Sequence, residues 1–165
     1  MIMIFGGKKK INNVDDFLKK IDNFAKKNNA IIQVFNADMI FGKKHIISAY
    51  QHAKRAIKNK TNTTNSIEKE LLLYSSGDRQ LKNAIPKMGV KKGDSNIVFL
   101  VDCNNKEIKN KIVKQFEIIK DDKILKGDIN TIKKFGISEA EIKTVNKNNY
   151  QGLILEKIAL LDIIK

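Results

Sequence analysis

Apolar positions along this chain alternate between two rhythms, short continuous runs and stripes at helical spacing. The opening run Met1-Ile2-Met3-Ile4-Phe5 predicts a strand, stopped by Gly6-Gly7. Val14, Phe17, Leu18, Ile21, Phe24 and Ala25 recur at helical spacing and predict an amphipathic helix over 14–28, with Asn13 as its N-cap. Ile31-Ile32-Gln33-Val34-Phe35 is a nearly unbroken apolar run of the kind a buried strand carries. The next helix runs from Gly42 to Asn59, with Ile46, Tyr50, Ala53 and Ile57 inward and Lys44, Gln51, Arg55 and Lys58 outward.

After a polar loop at Thr61–Asn65, Asn65 and Glu68 stand three apart in a capping-box-like start. The helix that follows has Ile67, Leu71 and Tyr74 on its inner face, and Gly77 ends it with a positive φ. Asp78 is positioned to cap another helix at once, with Leu81, Ala84, Ile85 and Met88 on one face, a kink at Pro86 and an end at Gly89. Asn96–Val101 predicts a third strand, and Asn105–Phe116 a helix packed through Ile108, Ile112 and Phe116. The pattern leaves 118–130 unassigned, with Asp121-Asp122 marking a turn. Two short helices flank Phe135-Gly136, the second capped by Ser138 with Glu141, and a last helix over Lys147–Asp162 uses Leu153, Leu160 and Leu161. The sum predicts an α+β fold, a small mixed, mainly antiparallel sheet covered by several helices, in one domain over residues 1–165. Strand order stays open.

Composition changes this picture mainly through charge. The formal net charge is +14, and it is uneven: residues 1–41 carry 7 basic and 4 acidic side chains, 42–93 carry 12 and 3, and 94–165 carry 13 and 11. A uniform codon bias toward Lys would not concentrate the excess in the middle third. A polyanion partner is one reading and a solvated basic face the other. The lone Cys103 cannot form an internal disulfide, which fits a reducing compartment. The apolar runs are too short to span a bilayer, and the start lacks a basic leader, so the expected location is the cytoplasm.

The sequence offers little chemistry. His45 and His52 are seven residues apart, two helical turns or roughly 10 Å of rise, too far to share an ion. Cys103 has no cysteine partner for zinc and nothing beside it to activate a thiolate. Gly6-Gly7-Lys8-Lys9-Lys10 lacks the first glycine and the Lys-Ser/Thr ending of a phosphate loop and reads as a turn with a basic edge. No catalytic residue, metal or cofactor is therefore expected. What remains is surface: Lys43, Lys44, Lys54, Arg55 and Lys58 on one helix, and Arg79 and Lys82 beside an exposed helix start suited to phosphate.

The stretch Tyr74-Ser75-Ser76-Gly77-Asp78-Arg79-Gln80-Leu81, with Ala84-Ile85 and Gly89, resembles the PRPK-binding protein family, the kinase-binding subunit of the KEOPS complex. Gln33–Asp38, Gly42–Ile46 with Ala53, Asn96–Val101 and Glu156–Leu161 are similar to further segments of that family in the same order. Leu81 replaces an isoleucine of the family pattern and Lys157 an arginine. The resemblance implies a subunit with no active site that contacts a small atypical kinase/ATPase, holds the tRNA 3′ CCA end, and supports threonylcarbamoyl-adenosine formation in tRNA. On this reading Lys43, Lys44, Arg55, Arg79, Gln80 and Lys82 are the tRNA-binding candidates, and Leu153, Glu156 and Leu160 the kinase-binding ones. A stand-alone basic RNA-binding domain without a kinase partner is the alternative, and a small enzyme with a site assembled from distant residues is a third.

Overall fold

The computed structural model describes residues 1–165. Four strands, β1 (Ile2–Ile11), β2 (Ile31–Asn36), β3 (Gly93–Asp102) and β4 (Ile119–Lys120), form one sheet in the order β2-β3-β1-β4. Every neighbouring pair is antiparallel, so the sheet is not mixed. The helices are α1 (Val14–Lys27), α2 (Gly42–Asn59), α3 (Ile67–Ser76), α4 (Leu81–Met88), α5 (Ile108–Gln115), α6 (Ile129–Phe135), α7 (Glu139–Lys143) and α8 (Tyr150–Ile164). No helix is long and apolar enough to cross a membrane.

The pleat divides each strand between two cores. Ile4, Phe35, Val98 and Leu100 join the core built with α2, α3 and α8, and Phe5, Val34, Ile97, Phe99 and Val101 join the core under α1 and α5. Phe5 and Phe99, directly opposite in the β1–β3 register, stack at 4.9 Å. Because both faces are covered, the central strands read as continuous apolar runs rather than as alternation.

Gly6-Gly7 does not stop β1. The strand continues through Lys8-Lys9-Lys10 to Ile11, opposite Gly93. The glycines are there for close approach. A Cβ on Gly6 would lie 2.6 Å from the Asp121 carbonyl, and one on Gly7 2.2 Å from Ile118 Cγ2. The crossing segment is then tied down: Asp121 N–H donates to the Gly6 carbonyl (3.0 Å) and Gly6 N–H to Asp122 Oδ1 (2.8 Å). So the basic turn expected at Lys8–Lys10 is a strand, and Lys9 Nζ donates to the Phe116 carbonyl at 2.7 Å.

Other expectations shift by small amounts. Asn13 caps α1 as expected, its side chain accepting from Asp16 N–H. The cap of α3 is Ser66, not Asn65, and α8 begins at Tyr150 after a short 3-10 turn. Ile57, Ile85 and Leu160 are exposed, so the stripes of α2, α4 and α8 are narrower or rotated relative to the pattern. On α2 the inward positions include His45, Ala49 and Ala56.

Candidate functional site

The Tyr74–Ile85 stretch folds as a helix stop, a three-residue link and a new helix. Gly77 takes φ +68 and closes α3. Ser75 and Ser76, both buried, turn their hydroxyls back to the Leu72 and Leu73 carbonyls, and Ser76 Oγ also accepts from Asp78 N–H at 3.0 Å. Asp78 is not the cap of the next helix. Its Oδ1 accepts from Gln80 N–H at 2.9 Å and from Asn83 Nδ2 at 3.3 Å, which closes an Asx-type turn, and Gln80 is the capping position of α4. Arg79 and Gln80 are left exposed at the apex of the link, with Lys82 exposed on the first turn of α4.

Two side chains, one buried and one half-buried, hold this link from beneath. His45 is fully buried. Its Nδ1 accepts from Phe41 N–H at 3.1 Å and its Nε2 donates to the Ser75 carbonyl at 2.7 Å, so the ring is a neutral tautomer spanning α2 and α3. Burial lowers its pKa to about 4; the Ser75 carbonyl opposes that shift and Lys87 adds to it. Lys87 donates to the Ser76 carbonyl at 2.8 Å and stands 3.8 Å from the centre of the Phe135 ring. Burial lowers its pKa to about 8, with Asp78 opposing and Lys157 adding. No local sequence signal marked Lys87, since its partners come from α3 and α6.

The second cluster lies where α2, α3 and the end of α8 meet. Asp162 accepts from Tyr74 OH (2.7 Å), His52 Nδ1 (2.7 Å) and Arg55 Nη2 (3.1 Å). Burial would raise the Asp162 carboxyl, but these hydrogen bonds outweigh it and hold the group below the usual carboxylate range. Burial, reinforced by Asp162, pushes the Tyr74 phenol above its ordinary range. Behind Tyr74, the buried Glu70 accepts from Thr64 N–H (3.0 Å) and Thr64 Oγ1 (2.7 Å) and pairs with Lys165. Removing its carboxylate in Glu70→Ala should cost about 3 kcal/mol, because it leaves the Lys165 ammonium, whose side chain is only 4% exposed, and the Thr64 donors without their partner. Urea unfolding measures this, and an unchanged midpoint would show that Glu70 holds nothing.

The structure sorts the expected site residues into groups. Arg55 meets the end of α8 through Asp162, and Arg79 does so through Nη1 to the Ile164 carbonyl at 3.5 Å, so these two flank one helix terminus. Lys44 is exposed on the first turn of α2, about 16 Å of helix away from Arg55. Lys43 faces elsewhere, toward Ile2, Ile4 and Ile47 at the edge of the sheet. Leu153 is buried in the core and presents no surface, whereas Glu156 and Leu160 are exposed. Cys103 is buried, 3.7 Å from the Asn28 carbonyl it donates to.

The sequence reading missed the extent of the α8 surface. This helix is apolar nearly all round: Leu153, Ile154, Ile158 and Leu161 are buried, while Ala159, Leu160, Ile163 and Ile164 face water, Ile163 at 79% exposure. Gly152, Glu156, Ala159, Leu160 and Ile163 follow one another at helical spacing on the outer face. A helix with apolar residues on both faces is built to be covered on both. The Ile163-Ile164 pair was the available signal, lost because the expected helix ended at Asp162.

A family model described as kinase binding protein CGI-121 matches residues 9–162. The chain is also 34% identical over 133 residues to the regulatory protein Cgi121 of Methanocaldococcus jannaschii, covering 81% of this chain and 84% of that protein.

Proposed function

The chain belongs to the CGI-121 family of kinase-binding proteins, and from that premise we propose that it is a non-catalytic, single-domain subunit of a cytoplasmic KEOPS complex. In this reading it binds the small atypical kinase/ATPase and the tRNA 3′ CCA end, and so supports threonylcarbamoyl-adenosine formation. The observation that carries the kinase half is the uncovered apolar face of α8. Leu160, Ile163 and Ile164 supply an apolar centre, and Glu156 supplies part of a polar rim. Leu153 lies beneath this face as support. Co-elution with the purified cognate kinase at micromolar concentration is the direct test, and separate elution at that concentration would defeat it.

The tRNA half rests on the link after Gly77. Arg79, Gln80 and Lys82 are exposed together there, Arg55 stands across the end of α8 from Arg79, and Lys44 extends the basic surface along α2. Gln80 can both donate and accept, as a ribose or base edge requires. Lys43 lies outside this group and is assigned no tRNA contact. The chain is expected to bind tRNA carrying its CCA tail at least about tenfold more tightly than tRNA trimmed of it, and affinity should fall as salt rises. Arg79→Glu should weaken tRNA binding by about tenfold. Its melting temperature should be unchanged, since Arg79 makes only a long bond to one carbonyl. Filter binding with both tRNAs measures each effect, and equal affinity for the two would remove the CCA role.

A further inference from the structure

One edge of the sheet is open. β4 pairs with β1 only at Gly7 and Lys8, and the Asp121–Asp122 turn closes over Gly6. The register fixes what lies beyond. The N–H and C=O of Gly6 both point away from β3, toward that turn. In an antiparallel pair such outward groups recur at every second residue, so the N–H and C=O of Ile4 and Ile2 also point outward. No strand lies alongside them.

A groove of about 350 Å³ runs along this open edge, lined by Ile2, Met3, Ile4, Lys43, Ile47 and Lys109. Ile47 and Lys43 come from α2 on one face of the sheet, and Lys109 comes from α5 on the other. Lys109 Nζ stands 5.1 Å from the Phe5 ring. Neither lysine makes an ion pair, and no carboxylate lines the groove.

We propose that the Ile2–Ile4 edge of β1 is a docking site for an extended, apolar segment with acidic flanks from a partner protein, which would bind by adding a fifth strand to the sheet. The backbone groups of Ile2 and Ile4 would supply the ladder bonds. Side chains of the added strand would alternate between the α2 and α5 sides, and on each side they would meet apolar surface with one lysine at the rim. The two unpaired lysines select acidic flanks. The same charges oppose pairing with a second copy. Two edges brought together would set Lys43 and Lys109 of each chain against their counterparts, in molecules that each carry a formal charge of +14. The site shares no residue with the α8 face, so it stands or falls independently of the kinase proposal.

The probe is a synthetic octapeptide of four central β-branched residues flanked by two glutamates at each end, compared with the same peptide carrying lysines at the flanks. The readout is residue-level amide exchange by NMR. The acidic peptide should slow exchange at Ile2 and Ile4 by at least about tenfold at saturation, while the lysine-flanked peptide leaves both unchanged. The double variant Lys43→Glu/Lys109→Glu should weaken the acidic peptide by at least about tenfold. Ile2→Pro should abolish protection at Ile4, because it removes an outward donor without breaking a bond to β3. Equal binding of both peptides, protection elsewhere with none at Ile2 and Ile4, or protection that grows with protein concentration in the absence of peptide would each overturn the proposal, the last by assigning the edge to self-pairing.

Discussion

Between pH 6.5 and pH 4 the protein is expected to lose about 3 kcal/mol of stability, and His45 is the cause. Its folded pKa lies at about 4 and its unfolded pKa near the ordinary 6.5, so the unfolded chain binds the extra proton throughout that window. Stability from the neutral ring is therefore complete above pH 6.5 and falls by up to about 1.4 kcal/mol per pH unit below it. The loss levels off once pH drops under the folded pKa. Glu141 starts from 4.5 and Asp102 and Asp162 from 3.8, and all three are lowered in the fold, so their losses share the sign of His45's and set in at the acidic end of the window; above about pH 5 the slope belongs to His45. The proton has nowhere to go in the folded state: Nε2–H already faces the Ser75 carbonyl, and Nδ1 is occupied as the acceptor of Phe41 N–H. Protonation would set a donor against a donor and leave a charge in the core beside Lys87. Urea unfolding at half-unit pH steps measures the slope, which should be largely absent in His45→Gln. A flat profile for the parent protein would show that the ring reaches water.

That role for His45 was hidden from a reading of local pattern. Nothing in the spacing of the two histidines distinguishes them, yet His45 is in the core while His52 is half-buried and stacked on Tyr74 at 5.4 Å. The partners that make His45 tolerable inside come from Phe41 and from a different helix. The same distinction runs through the fold. The positions of α1, α2, β2 and α7 were legible because their determinants are local: apolar period, Asn13 and Ser138 caps, and flanking turns. The length of β1 was not, because Gly6-Gly7 is shaped by a segment more than a hundred residues away. At the candidate site, exposure of Arg79, Gln80 and Lys82 followed from the helix–glycine–helix pattern, although the capping role moved from Asp78 to Gln80. That Arg55 and Arg79 flank one helix end, and that Lys43 does not join them, depends on where α8 lands, which no local pattern encodes.

Leu160→Glu is expected to weaken kinase binding by about 100-fold or more, roughly 3 kcal/mol, while leaving the fold intact. Leu160 is 40% exposed, on the outer face of α8 between Glu156 and Ile163, so a carboxylate there can be hydrated in the free protein. In a complex the same carboxylate would be stripped of water within an apolar patch, and the lysine one turn back on α8, Lys157, is already paired with Glu141. The expected signature is thus a large change in affinity with an unchanged melting temperature and unchanged tRNA binding, since Arg79, Gln80 and Lys82 are untouched. Leu153 separates this mechanism from a structural one. It is buried in the core, so Leu153→Ala should cost roughly 2–5 kcal/mol of stability and weaken kinase binding only to the extent that α8 loosens. Glu156→Lys, at the rim, should change affinity modestly and mainly at low salt. Titration calorimetry of the three variants against the kinase, with melting curves alongside, distinguishes the outcomes. A folded Leu160→Glu protein that binds the kinase as tightly as the parent would place the interface elsewhere and leave the outer face of α8 without an occupant. Ile163→Glu repeats the test one turn further along, at a position exposed enough that a folding defect could not be the explanation.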